Sequence, residues 1–408
     1  MKSTHNSPLV RWFTPAAWSA VALLCLSVSA RASNVTVDCT GATPGAFTSI
    51  TAAVNALDNI GPHTVTVTGP CSDNVSIFRR DRLTIEAFVG QTATVNAANP
   101  AGNVFTISGS NNITLRRLVV RGGATGIVIS RGSVVQLQGL HIKENTGPGL
   151  RADLDSVVSL GGSLADQFVT VSDNAGAGIA SDASVLLIAG LTTVENNAGS
   201  ALNIVGGRAI FNGVQAENLF RGNGFGINLT GTIANFIGQN TIQNNGQSGV
   251  QVGSGSADFS TAMVGDALRV NTIEGHTLGV NVAAAGSASF GGPNRIRGNG
   301  LGNQDAIFRG GVRIGTVSRV QFTGGTEITD NTGFGVLLDF NGALALNGAV
   351  VANNTLGGVR VTRSSVAGFG EGNSFAGNGG SRISCDTTSL IHGPGLVGFG
   401  KIDCKNIE

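Results

Sequence analysis

The chain has 408 residues and a formal net charge of +1, with 12% charged residues, 5% aromatic residues and 62 glycines. This excludes a basic nucleic-acid-binding surface, which needs clustered Lys and Arg. It also excludes a charge-driven disordered chain, because 41% of residues are apolar, and collagen, whose glycine recurs at every third position.

Residues 1–32 read as an export signal. Lys2 and Arg11 precede an apolar stretch from Ala16 to Ala30, and Ala30-Arg31-Ala32 supplies a small-x-small cleavage site. The apolar run is shorter than the ~20 residues of a spanning helix, so no membrane span is expected once it is removed. Removal takes away three basic residues (Lys2, Arg11, Arg31), leaving 25 − 3 = 22 Lys+Arg against 24 Asp+Glu, a net of −2. It also removes Trp12 and Trp18; with no Tyr in the chain, Phe is the one aromatic left. Four cysteines remain: Cys39, Cys71, Cys385 and Cys404. An even set in an exported chain indicates disulfides, and of the three pairings the distance along a long body favours Cys39–Cys71 and Cys385–Cys404. The expected destination is the medium, a periplasm or a cell surface.

Further on, Phe47 to Leu57 places Ile50, Val54 and Leu57 on one helical face, with Thr48 as N-cap. Beyond it the chain repeats a phrase of Asn, a few residues, then Gly followed by Ile, Val or Leu. It occurs at Asn145…Gly149-Leu150, Asn174…Gly178-Ile179, Asn223…Gly226-Ile227, Asn245…Gly249-Val250, Asn331…Gly335-Val336 and Asn354…Gly358-Val359. The step is 23 residues from Gly126 to Gly149, from Gly226 to Gly249 and from Gly335 to Gly358, with longer intervals between. A period this short fits three short strands per turn of a coil. Alternation then points Ile127, Ile129, Val135, Leu137, Leu140 and Ile142 into a tube and His141 out. Gly and Asn suit corners that need positive φ, and an Asn at one corner of every coil can bond its neighbours as a ladder. The insertions 161–168 and 300–308 are expected to project from one corner as loops.

The Asn-x-x-x-Gly-(Ile/Val) phrase makes the body resemble the right-handed parallel β-helix proteins of the pectin-lyase-like superfamily. The resemblance implies an all-β, single-stranded β-helix with three strands per coil and a short N-terminal capping helix. The expected layout is a signal over 1–32, an N-terminal cap region over 33–64, a β-helix over 65–397 and a C-terminal cap or tail over 398–408. It also implies polysaccharide or cell-surface glycan as the partner class. The polygalacturonase aspartate motifs, the pectin esterase aspartate motif and the epimerase Asp-Pro-His-Asp are absent; Gly275-His276-Thr277 matches a fragment of Gly-His-Gly.

The densest polar cluster lies on early coils. His141 and Lys143 leave one face of a strand, and a shift of 22 residues sets Arg121 beside Lys143. Arg151, Asp153 and Asp155 alternate outward just downstream. A uronate lyase needs a Lys or Arg base and often Ca²⁺ held by aspartates. In that reading Lys143 or Arg121 is the base, His141 assists, and Asp153 and Asp155 ligate the metal. The competing reading is a solvated polar face. With neither Trp nor Tyr, a stacking groove is disfavoured, and Phe225, Phe334 and Phe375 are assigned to packing. Three functions follow: a structural or surface-interaction rod with no cofactor, a polysaccharide lyase or hydrolase, and a glycan-binding module without turnover. Elimination favours the first.

Overall fold

The computed structural model describes residues 32–302, 305, 309–396 and 402–404. Residues 1–31 of the expected 1–32 export signal and most of the 398–408 tail lie outside these residues.

Each coil gives one strand to each of three parallel stacks. The first face contains Val134–Gln138, Val157–Leu160 and Val185–Ala189. The second contains Leu140–Lys143, Val169–Ser172 and Thr192–Glu195. The third contains Leu150–Asp153, Ile179–Asp182 and Ser200–Val205. The third face is a 14-stranded sheet. The other two merge into one of 25 strands, because Arg208–Arg221 and Ile233–Gln243 run unbroken through the corner between them. Register confirms the 23-residue step, pairing Ile127 with Leu150, Ile227 with Val250 and Val336 with Val359. The chain is thus a right-handed parallel β-helix. Fourteen rungs at ~4.8 Å make a column of roughly 60–65 Å. No helix among the described residues is long and apolar enough to cross a membrane.

The stack begins before residue 65. Ser33–Asp38 already pairs in parallel with Ile60–Thr68, so the first rung falls inside the segment assigned to the cap. The helix spans Ile50–Ala56 and its N-cap is Ser49, whose Oγ accepts from Ala52 N at 3.0 Å; Thr48 lies one residue too early. Ile50, Ala53 and Val54 are buried, and Thr51 donates through N and Oγ1 to Asp73 at 2.9 and 2.7 Å. A disulfide joins Cys39 to Cys71, with Cα atoms 5.1 Å apart. At the far end Cys385 is disulfide-bonded and stands in register with Cys404, whose side chain lies outside the described residues.

The tube interior is the predicted one: Ile127, Ile129, Leu137, Leu140 and Ile142 are all fully buried. Its corners differ from expectation in a way that explains the repeated phrase. The ladder asparagines do not themselves take positive φ. The residue before each one does: Glu144, Asp173, Asn196, Asn244, Asp330 and Asn353 near +55°, and Gly222, Gly298 and Gly377 at +65°, +60° and +66°. That single left-handed residue turns the chain and leaves the next Asn pointing inward. Asn145 Nδ2 donates to Asn174 Oδ1 at 2.9 Å, and the chain continues through Asn197, Asn223 and Asn245 at 2.8–3.0 Å. The glycine of the phrase is required for room, not for its φ. A Cβ on Gly149 would lie 2.7 Å from Asn174 Nδ2.

His276 occupies one place in this ladder. Its Nδ1 accepts from Asn245 N at 3.1 Å and its Nε2 faces Ile242 O at 3.0 Å, which fixes the neutral tautomer with the proton on Nε2. Its own N donates to Asn299 Oδ1, and Asn331, Asn354 and Asn378 continue the series. Burial lowers the His276 pKa. Gly275-His276-Thr277 is therefore a structural rung.

Candidate functional site

The polar cluster on the early coils divides between two faces. Lys143 and Arg121 are register partners on the second face, as the 22-residue shift requires. Lys143 Nζ donates to Glu144 Oε1 at 2.8 Å, and Arg121 bonds Glu144 at 3.2 Å and Asn96 at 2.8 Å. The Glu144 carboxyl is lowered first by its hydrogen bond with Lys143. His141 packs against Phe168 with ring centres 4.9 Å apart, and burial, then Lys143, lowers its pKa. The corner at 144–149 then carries the chain onto the third face. There Arg151 pairs with Asp153 at 2.6 Å, so Asp153 is not beside Lys143. Asp155 does not alternate with Asp153. The strand ends at Asp153, and Asp155 sits exposed on the following corner at φ +58°. No three potential metal-ligating side chains converge among the described residues. Arginine–carboxylate pairs continue along the second face, Arg221–Glu195 at 2.7 Å and Arg297–Glu274 at 2.8 Å, as on a solvated surface.

The loop 161–168 does build a concave site. It leaves the corner between the first and second faces, whereas 300–308, largely outside the described residues, leaves the corner between the second and third. The two insertions thus project from different corners. A short 3₁₀ turn, Ala165–Gln167, folds the loop back. Gly162 allows this, since a Cβ there would lie 2.1 Å from Gln167 Oε1. Arg116 ties the loop down through Asp166 at 3.3 Å.

Beneath it is a cleft of about 330 Å³. Gln136 and Gln138 come from one coil, Ser159 from the next, Gln167 from the loop, and Asn212 and Gln215 from two coils further on. Ala189, Gly190 and Gly161 form its floor and sides. Amides and hydroxyls each both donate and accept. Gln167 Oε1 takes Leu164 N at 3.3 Å and Asn212 Oδ1 takes Val214 N at 3.2 Å, leaving their amide nitrogens as donors. No lining residue among the described ones is charged. Such a cleft can hold a neutral, polyhydroxylated ligand and has no group in its wall to move a proton at neutral pH. The sequence offered one pointer to it, the 161–168 insertion; the glutamines themselves carry no local signature.

No family model matches the chain, and no curated protein matches it. Among solved structures, the A-module of mannuronan C-5 epimerase AlgE4 from Azotobacter vinelandii aligns over 91% of this chain and 100% of its own, at 13% identity and a TM-score of 0.43. Pectate lyase Pel9A aligns over 94% and 80%, at 12% identity and 0.29. An alginate lyase from Paenibacillus sp. str. FPU-7 aligns over 86% and 99%, at 11% identity and 0.26. At these scores the likenesses carry no functional weight, and the fold rests on the strand register above.

Proposed function

We propose that this protein is an exported interaction rod that holds a neutral polysaccharide in the cleft under the 161–168 loop without cleaving it. The observation that carries the reading is the lining: amides and hydroxyls from several coils converge there, with no carboxylate, lysine or arginine among them. Hydrogen bonding of sugar hydroxyls by planar amides needs that chemistry, whereas acid–base cleavage needs a titrating group in contact with the bond. The Cys39–Cys71 disulfide supports export into an oxidising compartment.

Affinity electrophoresis through gels containing glucan, mannan, xylan, pectate or alginate tests this. Retardation is expected in at least one neutral polymer. Gln138→Ala should weaken it up to about tenfold, the worth of a lost hydrogen bond or two. Release of reducing ends or unsaturated products from any of these polymers would overturn the reading.

A further inference from the structure

A second cleft, of about 380 Å³, lies on the third face of later coils. It is built from Phe225, Ser248, Gln251, Thr277, Leu278 and Asn281, with Arg313 in its wall. We propose that it is a second saccharide site, which seats a pyranose chain lengthwise along the rod and makes the protein bivalent. The second site itself does not depend on the first cleft, whereas the bivalency rests on the first cleft binding as proposed above.

Three features carry it. Asn203, Asn228, Gln251, Asn281 and Arg313 are successive register partners on the outer side of the third face, one per coil. They form a straight column at ~4.8 Å spacing. An extended pyranose chain advances by roughly one ring per such step, so each ring meets one polar side chain, an amide at the first four positions and the Arg313 guanidinium at the fifth. Second, the packing assigned to Phe225 from sequence is incomplete. Phe225 is half-buried at the outer corner and, with Leu278, gives the cleft an apolar wall for the C–H side of a ring. Third, Asn281, which lines the cleft, holds its Oδ1 buried and without a hydrogen-bond partner in the protein. Arg313 lies 3.6 Å from Asp339, which also binds Arg363 at 3.1 Å. Two guanidiniums thus share one carboxylate, and this end of the cleft keeps a net positive charge.

The two clefts sit on different faces, with centres about three coils apart, or roughly 15 Å along the axis. One rod can then grip two polymer strands, and linked weak sites gain avidity.

Titration calorimetry with gluco-, manno- and xylo-hexaoses should give two sites per chain. Phe225→Ala should remove or weaken one of them about tenfold. Gln251→Ala, a surface change that leaves the core intact, should act on the same site. Wild-type protein should cross-link the matching soluble polysaccharide into a turbid suspension, and either variant should abolish turbidity. A stoichiometry of one that Gln138→Ala abolishes and Phe225→Ala leaves alone would overturn the second site. The converse pattern would retain this site and remove the first.

Discussion

The early and middle coils share one backbone course but fill it differently. In the early coils the first face turns Val135 and Leu137, Val158 and Leu160, and Leu186 and Ile188 inward. In the middle coils the same two places become Ala209 and Phe211, Ala234 and Phe236, Ala257 and Phe259, and Ala288 and Phe290. The exchange of two medium side chains for a small and a large one roughly conserves volume, which close-packed interiors tolerate. It also adds order. Phe211, Phe236, Phe259, Phe290 and Phe322 stack face over face at 4.2–4.9 Å. Beside them a second amide ladder runs through Asn218, Asn240, Asn271 and Asn294 at 2.8–2.9 Å, on the corner opposite the first. Where rings dictate the spacing, the neighbouring corner is pinned as well, so a coil's interior and its corners are chosen together.

Four substitutions would break or sharpen this contrast. Phe259→Ala removes the middle of the stack and should have the largest effect, about 3–5 kcal/mol in denaturant unfolding. Leu160→Ala, its early-coil counterpart, should cost about 2–5 kcal/mol without disturbing other rings. Equal spread of the loss along the column in both variants, read by hydrogen exchange, would remove the distinction. Next, Asn197→Ala leaves Asn174 Nδ2 and Asn223 with missing partners and should cost about 1–3 kcal/mol. The smallest effect concerns His276. Burial holds its folded pKa below the unfolded value of 6.5. The unfolded state therefore binds more protons, and stability falls as pH drops through that value toward the folded one. Backbone hydrogen bonds with Ile242 and Asn245, and after them the charge of Glu274, oppose this in part by favouring the charged ring. His276→Asn should keep the ladder and flatten this acid dependence. An unchanged pH profile in the variant would show that the ring does not titrate on unfolding.

Much of the fold was legible because its signals are local. Alternation within each short strand identifies Ile127, Ile129, Leu137 and Ile142 as inward whatever the coil does elsewhere. The 23-residue step sets Arg121 beside Lys143. What failed depends on geometry at the corners. The phrase's glycine was read as a turn former, because sequence does not show that the Asn amide one coil later occupies the space of its Cβ. His276 escaped the ladder because it replaces Asn in a coil lengthened by insertion. Asp153 and Asp155 were placed with Lys143 because the six residues 144–149 between the two strands carry no sign that they turn the chain onto another face. The cleft residues were invisible for a related reason. Gln136, Gln138, Gln167, Asn212 and Gln215 are spread over 80 positions, none carries a local sequence signature, and stacking of coils gathers them.

The central claim is tested most directly by titrating the hexaoses into wild-type protein and into Gln138→Ala, then analysing the recovered sugar by chromatography. The account predicts saturable binding of a neutral hexaose, weakened in the variant, with the sugar recovered intact. Shortened or unsaturated sugar from the wild-type cell, or binding indifferent to Gln138, would contradict it.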